Sequence, residues 1–182
     1  NLFRTVFFMP NLIGGIVLGY IWLMIFNSVL AHFSKTIVST QWFAFWGLII
    51  VVCWQQIGYM MIIYIAGIQN IPGELIEAAK MDGASNWQLL KNVTIPMVMP
   101  SITICTFLTL TNSFKLFDQN LALTAGEPSN NSQMLALNIF ETFYGRTGWE
   151  GVGQAKAVIF FIIVAIIAMT QNRLTRTKEV QQ

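Results

Sequence analysis

Charge is what this sequence has least of. Only 10% of its 182 residues are Asp, Glu, Lys or Arg, 55% are hydrophobic, and the mean hydropathy is +0.60. Soluble domains carry about 25% charged residues, so the shortfall points to a bilayer as the solvent. A net charge of +2 is too small for a nucleic-acid surface. Cysteine is nearly absent as well. Cys53 and Cys105 each sit in an apolar run without a CxxC partner, which argues against a disulfide or metal site and leaves two buried thiols acting as small hydrophobes. The single histidine, His32, has no companion ligands and reads as a polar loop residue. No G-x-x-x-x-G-K-[ST] phosphate loop occurs, so the chain is not itself an ATPase. Gly151-Val152-Gly153 is too little to build a nucleotide site on.

What is present is apolar sequence in four stretches, residues 4–26, 42–66, 97–117 and 152–170. Each is close to the ~20 residues that cross a bilayer. Helices satisfy their own backbone in lipid, so the expected fold is all-α, a polytopic bundle with four spanning helices. Pro10 and the pair Gly14 and Gly15 predict a kink or a close helix contact in the first span. No Asp or Glu lies in any of the four. That disfavours an intramembrane enzyme, which needs paired acids or His and Cys at catalytic spacing. It equally disfavours a proton-coupled secondary transporter, which needs an ionisable relay.

The connecting segments set the orientation. With the start of the first span inside, Arg4, Lys80, Lys91, Arg173, Arg176 and Lys178 are cytoplasmic, while Lys35, Lys115, Arg146 and Lys156 lie at or near the outer face. The outer loop adds Asp118, Glu127, Glu141 and Glu150. Both ends and the loop over residues 67–92 are therefore expected in the cytoplasm. Within the outer loop, residues 133–144 read as an amphipathic helix. Its Leu135, Ile139, Phe140 and Phe143 share one face, expected to be packed. The chain opens on Asn1 without a visible signal peptide, and we expect it to lack its natural start.

The cytoplasmic loop is the most punctuated part. Pro72 suits a first helical turn, Glu74 and Glu77 lie near the positive end of the helix dipole, and Gly83 suits the left-handed residue past the end. Ser85 and Gln88 have the spacing of a capping box, and Pro96 marks entry into the third span. A helix of about ten residues is marginal alone. Ala78 and Ala79 give it a smooth face and Leu75 and Ile76 apolar anchors, as suits a helix docking in a partner's groove. The plain alternative is an ordinary re-entry with Glu77 merely solvated.

Glu77-Ala78-Ala79, then Gly83, then Val93-Thr94-Ile95-Pro96 resembles the EAA loop of binding-protein-dependent ABC importer permeases. Asp82-Gly83-Ala84, Trp87-Gln88, residues 114–118, Leu123-Thr124 with Gly126 and Pro128, and Gly153-Gln154-Ala155-Lys156-Ala157 look like the carbohydrate branch of that family. Val93 and Ile95 stand where Ile and Leu are commoner, and Glu127 where Gly is frequent. The resemblance covers nearly the whole chain. It implies a permease domain over residues 1–182, with residues 67–96 as the coupling loop and further spans preceding Asn1. Coupling falls to Glu74, Glu77, Ala78, Ala79, Asp82, Gly83 and Pro96, docked on a cytoplasmic ATPase dimer. ATP and Mg are bound by that partner and no cofactor by this chain. A second permease subunit, commonly a paralogue, completes the pathway, and an extracytoplasmic sugar-binding protein delivers the substrate. The setting implied is the bacterial inner membrane, among its lipids.

Polar residues inside spans usually face a bundle interior or a cavity. Gln55, Gln56 and Tyr59 lie near the middle of the second span. Thr109, Asn112 and Ser113 fall on the third at i, i+3 and i+4, one face of a helix. Amides and hydroxyls beside an aromatic ring suit a sugar, and the resemblance places a sugar pocket on these two spans. Interhelical hydrogen bonds account for the same residues equally well. Lys115 and Asp118 are spaced for a local ion pair. Trp22, Trp42, Trp46 and Trp54 read as packing or interface residues. An importer of the same type for glycerol phosphate, amino acids or peptides is the neighbouring alternative.

Overall fold

The computed structural model describes residues 2–176. Lys178 of the basic tail lies outside them. Among the described residues the chain is helices and turns without strands. Helices α2 (Gly15–Ala31), α3 (Gln41–Gln69), α6 (Ile95–Phe114) and α9 (Glu150–Arg176) form the body. Shorter helices lead in and connect: α1 (Leu2–Phe8), α4 (Gly73–Met81), α5 (Asn86–Leu89), α7 (Asp118–Leu123) and α8 (Leu135–Tyr144).

Three helical segments are long and apolar enough to span a membrane. They are Gln41–Gln69 with mean hydropathy 1.9, Asn86–Phe114 with 1.8 and Glu150–Thr175 with 2.3. The first expected span is not a single helix. Residues Leu2–Leu12 and Gly15–Ala31 are bent by 103° against each other, and only together can they be one span. Pro10 opens a 3-10 turn over Met9–Leu12, and Ile13 and Gly14 are extended, with ψ 128° and 141°. The third span also differs from expectation. It begins at Asn86 and passes through a π turn at Leu90–Thr94 before Pro96. Pro96 therefore sits within a continuous rod and does not open it.

The packing is sparse, as expected of a chain whose solvent is apolar. On α3 the buried residues are Ala44, Gly47, Leu48, Val51 and Gly58, a single stripe at helical spacing. Leu18, Leu48, Val51 and Leu123 form the core cluster, with Trp22 and Phe26 against it. The ring of Trp22 lies 5.0 Å from Phe26 and 5.4 Å from Trp54, and Phe45 lies 6.3 Å from Trp42 and 5.5 Å from Trp46, so all four tryptophans make the ring contacts expected of packing or interface residues. Glycines let helices meet closely. A Cβ on Gly15 would stand 2.7 Å from the Asp118 Cβ, and one on Gly19 2.6 Å from the Ala122 Cβ. That pair, i and i+4 on α2, seats α7, the small-xxx-small device of membrane helix contacts. The close contact expected at Gly15 is present, whereas Gly14 has open space around it.

The outer helix α8 packs only part of its expected face: Ile139 and Phe143 are half-buried, and Phe143 lies against Gly153 of α9. Leu135 is 57% and Phe140 43% exposed, while Leu137 and Thr142 are the buried residues. Phe140 stacks with Phe117 and Tyr144 at ring distances of 5.1 and 4.9 Å. The buried side is held by Lys156 of α9, whose Nζ donates to Asn138 Oδ1 and Thr142 Oγ1, both at 2.8 Å.

Candidate functional site

Two regions carry the residues singled out by sequence. The first is α4 and its flanks. Pro72 occupies the N-cap, one residue earlier than a first-turn position, and Glu74 stands in the first turn and Lys80 in the last. The C-terminus closes with both bonds of a Schellman motif. Gly83 N–H donates to Lys80 O and Ala84 N–H to Ala79 O, each at 3.0 Å. Gly83 has φ +78°, the left-handed region that a side chain would strain. Asp82 is the C-cap. The capping box at α5 is complete: Gln88 N–H donates to Ser85 Oγ at 3.4 Å and Ser85 N–H to Gln88 Oε1 at 2.8 Å.

No residue of α4 is buried. Glu74, Glu77 and Ala78 are exposed and Ala79 is half-buried, and Pro96 is half-buried at the start of α6. Glu77 has no hydrogen bond or ion pair within the described chain. Leu75 is 44%, Met81 83% and Trp87 70% exposed. The result is a helix with a closed C-terminal end and a largely exposed surface, on which only Ile76 and Ala79 are half-buried, held between the two long helical segments that carry it.

The second region is a polar cavity of about 290 Å³ within the helical body, lined by Asn11, Gln55, Gln56, Asn112, Lys115, Leu116, Asp118 and Gln119. It brings Gln55 and Gln56 of α3 together with Asn112 of α6. Lys115 and Asp118 both open onto it and form no ion pair with each other, contrary to the expectation from their spacing. The chain leaves helical geometry between Phe114 and Asp118, so the i, i+3 register of a helix does not apply to them. Gln55 and Gln56 do different things. Gln55 Nε2 donates to Ile13 O at 3.1 Å, and Gln55 Oε1 accepts from Gln119 Nε2 at 2.6 Å. Its amide thus satisfies a backbone carbonyl freed by the break before α2, as non-helical backbone at membrane depth requires. Gln56 Oε1 is buried and has no partner.

The other predicted residues fall elsewhere. Thr109 and Ser113 line a separate cavity of about 370 Å³ with Met60, Tyr64, Cys105 and Thr106, so the expected single face of Thr109, Asn112 and Ser113 is divided between two spaces. Tyr59 borders neither cavity; its ring lies 6.5 Å from Phe8 and the residue is 37% exposed. Cys105 is buried as expected, but Cys53 is exposed.

Sequence reasoning missed Asn120. It is 0% exposed. Its Nδ2 donates to Thr124 Oγ1 at 3.0 Å and Ser132 O at 2.8 Å, and its Oδ1 accepts from Met134 N–H at 2.8 Å. It therefore ties the whole loop between α7 and α8 to one buried amide. Truncation leaves a buried N–H and a carbonyl unpaired, each costing about 1–3 kcal/mol. Asn120→Ala is expected to lose ~3 kcal/mol and to lower the thermal midpoint in detergent. An unchanged midpoint would show that the loop does not depend on this amide.

An all-helical membrane chain that presents a bare capped helix between two spans is built as a transport permease. The chain belongs to the binding-protein-dependent transport system inner membrane component family, which matches residues 1–177. It is 51% identical, over 100% of its length, to the probable starch degradation products transport system permease protein AmyD of Thermoanaerobacterium thermosulfurigenes. It is 31% identical, over 98% of its length, to the multiple sugar-binding transport system permease protein MsmF of Streptococcus mutans. In each case it spans 64% of the relative's length. Its fold matches a chain of a bacterial ABC transporter that imports the acidic polysaccharide alginate, with a TM-score of 0.81 at 18% identity, covering 97% of this chain and 65% of that one.

Proposed function

We propose that this chain is the translocating part of an ATP-driven importer of sugars or oligosaccharides. Its α4 lies in the cytoplasm against an ATPase dimer that binds ATP and Mg. A second permease subunit lies alongside, and an extracytoplasmic binding protein delivers the sugar. Both chain ends and α4 are cytoplasmic in a bacterial inner membrane. The observation that carries this is α4 itself. Among the described residues none buries it, its C-terminal end is closed by the chain's own hydrogen bonds, and α3 runs into it through Asn70 to Pro72. Closure of the ATPase dimer would move α4 as a rigid body and tilt α3 and α6 with it. The names of AmyD and MsmF favour a sugar cargo. Lys115 and Asp118 give the mid-body cavity balanced charge, which suits a neutral one.

Within that cavity Gln56 is the pathway residue and Gln55 the structural one. The assembled importer in proteoliposomes, tested with labelled maltotriose, should show this as a split. Gln56→Ala is expected to raise KM roughly tenfold, the loss of one hydrogen bond of about 1.4 kcal/mol, without loss of thermal stability. Gln55→Ala is expected to lower the thermal midpoint instead. Unchanged KM in Gln56→Ala would remove Gln56 from the pathway. Uptake of glycerol phosphate or an amino acid in place of every saccharide tried would overturn the sugar cargo.

A further inference from the structure

We propose a second saccharide site, distinct from the mid-body cavity, that holds one hexose unit of a neutral oligosaccharide in the cavity walled by Asn130, Gln133, Asn138, Glu141, Thr142 and Arg146. The choice of a sugar rests on the importer reading above. The cavity measures about 470 Å³, within the ~300–1,000 Å³ of small-molecule sites. Apart from Gly145, every wall is polar or charged, in a chain with only 10% charged residues.

One wall is organised before any ligand arrives. Lys156 donates to Asn138 Oδ1 and Thr142 Oγ1 at 2.8 Å. Asn138 Nδ2 donates to Gln133 Oε1 at 2.7 Å, and the Gln133 amide donates to Glu141 Oε2. A cation and a carboxylate are thus joined through two amides in a row, which fixes which end of each amide faces which neighbour. Asn120 and its bonds hold the preceding loop in place. A site held rigid in this way loses little on binding.

The remaining valences suit hydroxyl groups. Among the described residues Glu141 Oε1 has no partner, and Arg146 forms no ion pair with Glu141. A sugar hydroxyl can donate to that carboxylate oxygen while its neighbour accepts from the guanidinium. The Arg146 guanidinium is itself steadied over the Trp149 ring at 5.0 Å. Glu141 and Arg146 cancel in charge. An anionic sugar would meet the carboxylate, and a cationic one the guanidinium.

The test uses the assembled importer in proteoliposomes, with Asn130→Cys in a Cys53→Ala background and a membrane-impermeant maleimide. At a maltotriose concentration about ten times Kd, labelling should slow roughly tenfold, and glucuronate should not protect. Glu141→Gln and Arg146→Ala should each remove the protection. Protection that survives both substitutions, or its absence with maltotriose and every other neutral saccharide tried, overturns the site. Uptake of labelled maltotriose by the unsubstituted protein is scored separately. Its failure would count against the importer reading, while protection at residue 130 would still stand or fall by itself.

Discussion

Glu77→Lys is expected to abolish ATP-driven uptake while leaving the chain folded in the membrane. The fold does not use this carboxylate. Among the described residues Glu77 is exposed and without a hydrogen bond or ion pair, and no residue of α4 is buried. Glu74 already supplies an acid in the first turn, so helix stability changes by a few tenths of a kcal/mol, the size of one exposed dipole interaction. The effect must then fall on whatever α4 touches. Losing one partner of a desolvated interfacial charge costs about 2–5 kcal/mol, and reversing its sign adds repulsion. Uptake should fall at least ~100-fold, since each 1.4 kcal/mol is tenfold. The thermal midpoint should stay in place. ATP hydrolysis measured alongside should lose its dependence on substrate. Normal uptake by this variant would end the docking role of α4, whatever else the chain does.

How much of this was legible depends on the distance over which each feature is set. The caps of α4 and α5 follow from Gly83, Ser85 and Gln88, each bonded within five residues along the chain. Such features read directly from sequence. The break in the first span was marked by Pro10 and Gly14, yet its 103° angle was not. That angle depends on Gln55, 42 residues from Ile13, and on Gly58. Asn120 carried no local signal because its partners lie four to fourteen residues further on. The α8 face was only half legible, Ile139 and Phe143 being partly packed and Leu135 and Phe140 exposed, for a different reason. An amphipathic helix in water buries its apolar side, but in a membrane protein the polar side is the one that needs a partner. Here Thr142 and Asn138 are turned in toward Lys156, and Leu135 and Phe140 are turned out. Thr109 and Asn112 were grouped by helical spacing alone, which says nothing about where one cavity ends and the next begins.

Gly58→Ala should be the most damaging single methyl in the chain. At this position α1 crosses α3 backbone to backbone. A Cβ on Gly58 would run into the carbonyl group of Phe7 and stand 2.7 Å from Phe8 N. No rotamer relieves such a contact, because the opposing atoms are main chain. Nor can α3 give way. Leu48 and Val51 hold it in the core cluster, and Met60 O accepts from Cys105 Sγ at 3.9 Å. So α1 must move, and the turn after it moves too, with the Ile13 carbonyl drawn away from Gln55 Nε2. The cost combines over-packing with an unsatisfied carbonyl at membrane depth, ~3 kcal/mol or more. The fitting control is Gly151→Ala, also a helical glycine but with nothing within 4 Å of its Cβ. It should be neutral or gain about 0.5–1 kcal/mol. Thermal unfolding of both in detergent decides the matter. Equal midpoints would mean that α1 does not lie across α3, and that the break before α2 is not held by Gln55.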